Sequence, residues 1–143
     1  MRKQYHFRPS QRGLLAWDVD RLVELTAGLP VVQVPLSEIR ELDEMFWFSD
    51  GSHPPTCRNV AFHAKLMNET DLEFPIILSQ DGGVMDGMHR VCKALVLGEQ
   101  TIAAVRFERD PEPDYVGVAP ADLPYEEAEP SGAGDGRKAA PEP

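Results

Sequence analysis

The chain has 143 residues, of which 42% are hydrophobic and 27% charged, and a formal charge of −10 at pH 7. That length suffices for one domain with a modest core, and no apolar run reaches the roughly 18 residues that a membrane-spanning helix needs. The negative balance is the wrong sign for a protein that binds DNA by neutralising its phosphates.

Residues 1–13 read as a basic arm carrying Arg2, Lys3, His6, Arg8 and Arg12, with Tyr5 and Phe7 as anchors for a strand. The arm lacks the apolar core of a secretory signal, so the expected location is cytoplasmic. From Asp18 the pattern turns helical. Asp18 is the expected N-cap, Val19, Leu22, Val23 and Leu25 share a face, Gly28 ends the helix and Pro30 blocks its continuation. Residues 31–35 are the first clear strand. Ser37 is expected to cap a short helix over 38–44 with Ile39 and Leu42 inward.

Residues 45–48, Met-Phe-Trp-Phe, form a dense apolar cluster before a loop broken by Gly51, Pro54 and Pro55. Two readings stay open for it: packing beneath the loop, or a base-stacking wall for a nucleotide. A loop of this composition suits closure over a ligand. Thr56 caps the next expected helix, which runs to about Asn68 with Val60, Phe62, Leu66 and Met67 on its apolar side. His63 lies among them, either as a satisfied core histidine or as a site residue.

Residues 74–107 are the most informative stretch. Ile76-Ile77-Leu78 is an apolar run of the kind that makes a buried strand, and Asp81-Gly82-Gly83 is turn chemistry. Val84-Met85 leads to Asp86-Gly87, and a helix opens at about Met88. Gly98 closes that helix, and residues 101–107 return as a strand. On a helical wheel Met88, Val91, Cys92 and Leu95 face the core, while His89, Arg90 and Lys93 fall together on the other side. Free N–H groups at a helix start, ringed by three potential cations, make an anion site. The alternative for His89, Arg90 and Lys93 is a solvated helix face, and for Asp86 a plain N-cap.

Beyond residue 110 a short edge strand over 115–118 and a last turn over 121–125 are expected. Residues 126–143 carry a charge of −3, leaving −7 on the rest, and their Glu, Pro, Gly and Ala composition predicts a disordered acidic tail suited to docking a protein partner. Cys57 and Cys92 are too few for a disulfide framework and are expected to be reduced structural thiols. The predicted fold is α+β: one compact domain over residues 14–125, with a mixed sheet and packed helices.

Asp86-Gly87-Met88-His89-Arg90, followed by Val91-Cys92-Lys93-Ala94-Leu95 and a glycine, resembles the phosphate-binding box of the ParB/sulfiredoxin superfamily. Residues 31–39, with Pro35-Leu36 and Ile39, resemble that family's first box, and the similarity covers about residues 31–107. The resemblance implies a domain that binds a nucleoside triphosphate, ATP or CTP with Mg²⁺, with its phosphates at Gly87, Met88, His89 and Arg90. Arg58, after Pro-Pro-Thr-Cys, is similar to a pocket-lining arginine of ParB-type proteins. Sulfiredoxin chemistry requires a cysteine where this chain has Met88, and a thioether cannot replace it. ParB partition proteins continue into a helix-turn-helix for which this chain has no room.

The implied function is a nucleotide-dependent kinase or hydrolase. Asp86 would then be the general base or a Mg²⁺ ligand, and Lys93 and His63 would lie near the anion. The alternative is a non-catalytic module that senses a nucleotide or phosphorylated metabolite, or one that docks a protein partner. A second carboxylate near the anion, from Glu38, Glu41, Asp43 or Glu44, would favour the enzyme.

Overall fold

The computed structural model describes residues 3–49 and 51–125, and the tail over 126–143 lies outside these residues. The protein is α+β, and among the described residues no helix is long and apolar enough to cross a membrane. The described residues form two compact units, 3–27 with 111–125 and 28–110.

In the first unit the expected basic arm forms a strand, β1 (Tyr5–Arg8), antiparallel to β2 (Leu15–Asp18). A short strand, β7 (Tyr115–Val116), pairs with the other edge of β2. Tyr5, Ala16 and Leu123 form its small core, and the Tyr5 hydroxyl donates to the Pro124 carbonyl at 2.6 Å. Helix α1 (Val19–Leu25) starts where expected, with the Asp18 carboxylate accepting the Asp20 N–H. Only Leu22 of its expected apolar face is buried; Val23 and Leu25 are exposed.

The second unit carries a four-stranded mixed sheet. Its strands are β3 (Val32–Pro35), β4 (Ile76–Leu78), β5 (Val84–Asp86) and β6 (Thr101–Arg106), in the order β3-β6-β4-β5. Strand β6 is antiparallel to β3, with Val34 opposite Ile102, and parallel to β4, with Ile77 opposite Val105. All three residues of β4 are buried, which is why its sequence runs apolar without alternation.

The β4–β5 hairpin closes through residues 79–83, where Ser79 N–H donates to Gly83 O at 2.8 Å. Asp81 locks this turn. Its carboxylate accepts from the Ser79 hydroxyl and the Gly83 N–H, and pairs with Arg40 at 3.1 Å. The Ser79 hydroxyl foremost, then the Gly83 N–H, holds the Asp81 carboxyl down to about 2.

The helix expected over 38–44 is instead two 3₁₀ turns, Leu36–Glu38 and Arg40–Asp43, with no side-chain cap from Ser37. Ile39 is buried as expected. The reason for the break is Glu41, whose carboxylate accepts the Val84 N–H at 3.0 Å on the free edge of β5. An edge strand leaves that donor without a ladder partner, and the 3₁₀ turn brings in a side chain to satisfy it.

Helices α2 (Cys57–Glu69) and α3 (Met88–Val96) pack against each other, and α3 supplies the parallel crossover between β4 and β6. Thr56 caps α2 by accepting the Asn59 N–H at 3.1 Å. The buried side of α3 is Met88, Val91 and Ala94; Leu95, expected inside, is 54% exposed. On the wheel the buried arc is turned by about 50° from the expected one, because it centres on Val91 and includes Ala94.

Candidate functional site

The first turn of α3 is built as the anion site requires in one respect. Gly87 is its N-cap, in the left-handed conformation (φ 107°), and contributes no side-chain cap. The first helical bond runs from Val91 N–H to Gly87 O at 3.0 Å. The N–H groups of Met88, His89 and Arg90 therefore have no partner within the helix.

Asp86 is not the cap. As the last residue of β5 it pairs its carboxylate with Arg90 Nη2 at 3.1 Å, and that nitrogen also donates to the Pro75 carbonyl at 3.3 Å. The two side chains are 22% and 16% exposed. Arg90 is thus half of a largely covered ion pair, not a free surface cation, and its Nε is buried without a partner. The guanidinium lies across Gly87: a Cβ at that position would sit 2.8 Å from Arg90 Nη2 and 2.6 Å from Ile76 Cγ2. The packing of the chain itself accounts for the glycine.

The three expected cations do not converge. Lys93 Nζ donates to the Asn68 and Thr70 carbonyls, at 3.2 and 2.6 Å, and so caps the C-terminus of α2. Lys93→Met keeps the apolar stem and removes these donors. It should cost about 1–2 kcal/mol in urea unfolding, whereas a change within about ±0.5 kcal/mol would show the contact to be idle.

His89 also turns toward α2, where His63 Nδ1 and His89 Nε2 lie 2.9 Å apart. His63 Nε2 in turn lies 3.0 Å from His53 Nε2. Three of the four histidines in the chain are joined in one row from the loop to α3. The wheel put His89 on a solvated face because α2 is invisible to it; helix packing covers that side.

Trp47 sets the two inner rings. Its indole stacks on His63 and on His89, with centroids 4.2 and 4.4 Å away and planes within 18° and 16°. The imidazole centroids are 5.1 Å apart, so the two rings lie side by side over one face of the indole. Phe48 stacks on His53 at 5.4 Å. Trp47 is only 8% exposed, which leaves no indole face for a nucleobase; of the cluster over 45–48 the three aromatic residues are covered, whereas Met45 is exposed.

Burial, then the neighbouring His53, pushes His63 down to about 4; burial, then His63 and Arg90, does the same to His89. Both are neutral at pH 7. His89 is therefore a hydrogen-bonding group at the helix start, not the cation expected there.

Other expected participants are placed elsewhere or spent. Met88 is buried in the core and Arg58 is exposed on the first turn of α2. Glu41, one of the four candidates for a second carboxylate, is committed to the Val84 N–H, and its other oxygen is buried without a partner. Among the described residues no group of three or more His, Cys, Asp or Glu side chains is arranged to hold a metal ion. Cys92 is half-buried, with its thiol pKa raised by burial, and Cys57 is exposed, so only Cys92 fits the expected structural role.

His53 was not singled out by the sequence. The available signal was a histidine two residues past Gly51, in a loop between aromatic residues and a helix that carries another histidine. No protein-family model matches the chain, and neither a curated protein nor a solved structure does.

Proposed function

We propose that the second unit binds a phosphate-bearing small molecule of the nucleoside triphosphate class, ATP or CTP, at the first turn of α3. The observation that carries this reading is the uncapped helix start: Gly87 offers no side-chain acceptor to the N–H groups of Met88, His89 and Arg90. Such donors at the positive end of a helix favour an anion. Arg90 adds a planar fork beside them, and its buried, unpartnered Nε is a donor in want of an acceptor.

The Asp86–Arg90 pair governs whether binding leads to chemistry. A bound phosphate and the Asp86 carboxylate compete for one guanidinium. While the pair stands, Asp86 is not free to act as a base, and the site is a binding module. A phosphate that takes over Arg90 releases Asp86 for the kinase or hydrolase role that the resemblance implies.

Thermal unfolding in the presence of ATP, CTP, GTP and tripolyphosphate, each with and without Mg²⁺, tests the reading. A ligand specific for the folded state should add about 2.7 kcal/mol at a hundred times its Kd. Affinity should fall from wild type to Arg90→Lys to Arg90→Ala, with the alanine variant roughly ten- to a hundredfold weaker. Arg90→Ala also strands Asp86, so it is to be compared at a temperature where both proteins are folded. If none of the four compounds raises the melting temperature, the site does not bind phosphate.

A further inference from the structure

Three features are left unexplained by the anion site. The exposed apolar residues Leu95, Val96 and Leu97 have nothing that specifies what covers them, and the buried Glu41 is explained by the strand edge. The row of imidazoles is different, because nothing in the packing of an apolar core requires three histidines joined nitrogen to nitrogen.

We infer that His53, His63 and His89 form a proton relay between solvent at the His53 end and a ligand seated at the first turn of α3. The ligand end rests on the phosphate-binding reading. His53 is half-buried on the loop, His63 is 2% exposed, and His89 is the second residue of α3, between Met88 and Arg90. The contacts are His53 Nε2 to His63 Nε2 at 3.0 Å and His63 Nδ1 to His89 Nε2 at 2.9 Å. His63 uses both ring nitrogens, which is the arrangement a relay needs in its middle member.

A neutral imidazole has one N–H and one lone pair, so the row has two neutral registers. In the first, His53 carries its proton on Nδ1, His63 donates from Nε2 to His53, and His89 donates from Nε2 to His63. His89 Nδ1 is then a bare acceptor. A proton arriving there from a ligand hydroxyl or water forms a new N–H bond. His89 passes its Nε2 proton to His63 Nδ1, His63 passes its Nε2 proton to His53 Nε2, and His53 releases its Nδ1 proton to solvent. One proton enters and one leaves, and the row ends in the second register. Running in reverse, it delivers a proton to the ligand.

The surroundings suit transfer. Trp47, Phe48 and Phe62 pack on the rings and do not exchange protons near neutral pH. Arg90 is the charged group acting on His89. Among the described residues no carboxylate is bonded to any of the three imidazoles, whose contacts are to one another. Burial keeps the inner two neutral at pH 7, where both registers are accessible.

Nitrogen NMR of the full chain labelled at histidine tests this without any ligand. In the wild type, His89 should exchange between its Nδ1–H and Nε2–H forms, and scalar coupling should cross both N–H···N contacts. In His63→Gln the amide holds hydrogen bonds without passing a proton, so His89 should settle in one tautomer. If His63→Gln does not fold, His53→Ala should likewise slow that exchange, because it removes the solvent end. Unchanged His89 exchange in either folded variant overturns the relay.

Calorimetry with tripolyphosphate, in buffers of different ionisation heat, tests the ligand end. Binding should be accompanied by a net exchange of protons that His53→Ala diminishes. Binding with no proton exchange overturns the ligand end. Absence of binding overturns both that end and the phosphate reading, while the NMR result still decides whether the imidazoles relay.

Discussion

Gly87→Ala should lower the unfolding free energy by about 2–5 kcal/mol, the largest loss expected from a glycine-to-alanine change among the described residues. Two effects add. The backbone at Gly87 has φ 107°, which an L side chain rarely adopts. The new Cβ would also meet Ile76 Cγ2 at 2.6 Å, Arg90 Nη2 at 2.8 Å and Ile76 Cβ at 3.0 Å. Arg90 can swing aside only by giving up Asp86, and Ile76 is fully buried in β4.

Gly98, at the other end of α3, is the control. Its φ is 81°, but nothing lies within 4 Å of its would-be Cβ. Gly98→Ala should therefore cost only about 1–2 kcal/mol of left-handed strain. Urea unfolding of the two variants separates strain from collision. If Gly87→Ala costs no more than Gly98→Ala, the Ile76 and Arg90 contacts are not limiting.

Acid should destabilise the protein well before its carboxylates protonate fully. His63 and His89 both titrate near 4 in the folded chain against an ordinary 6.5. Between those values the unfolded chain binds more protons than the folded one, so stability rises with pH. The contribution is complete above about pH 6.5 and is lost as pH falls toward about 4.

The first proton should remove about 3 kcal/mol over that range, since each pH unit of difference is worth about 1.4 kcal/mol. The two rings share a hydrogen bond, so the second proton follows the disruption of the first. Unfolding free energies measured from pH 7 to pH 4.5 should show this slope in the wild type. His63→Gln should flatten it by about one proton. Parallel profiles for the two proteins would mean that the imidazoles do not set the acid limit.

Much of the backbone was written locally. Asp18 and Thr56 cap their helices, and Gly98 ends α3. Residues 79–83 turn, and the Ile76–Leu78 run is buried as its composition demands. These features rest on φ preferences, short-range hydrogen bonds and hydrophobic period, all contained in a few neighbouring residues. The α+β class and the order of strand, helix and strand across residues 74–107 rest on the same local information.

What the sequence did not hold was which surfaces meet. Tyr5 and Phe7 mark a strand, but nothing local names β2 as its partner, because strand partners are chosen across a turn and not within a window. The helix expected over 38–44 gives way to 3₁₀ turns, because Glu41 has a donor to satisfy on an edge strand 43 residues away. On α3 the sequence grouped His89, Arg90 and Lys93 as one cationic face. Tertiary packing divided them: α2 claims His89 through His63 and Lys93 through its last carbonyls, while Asp86 and Pro75 claim Arg90. A wheel reports angles about one axis, and the neighbour that covers a face, neutralises a histidine or spends a lysine lies on another.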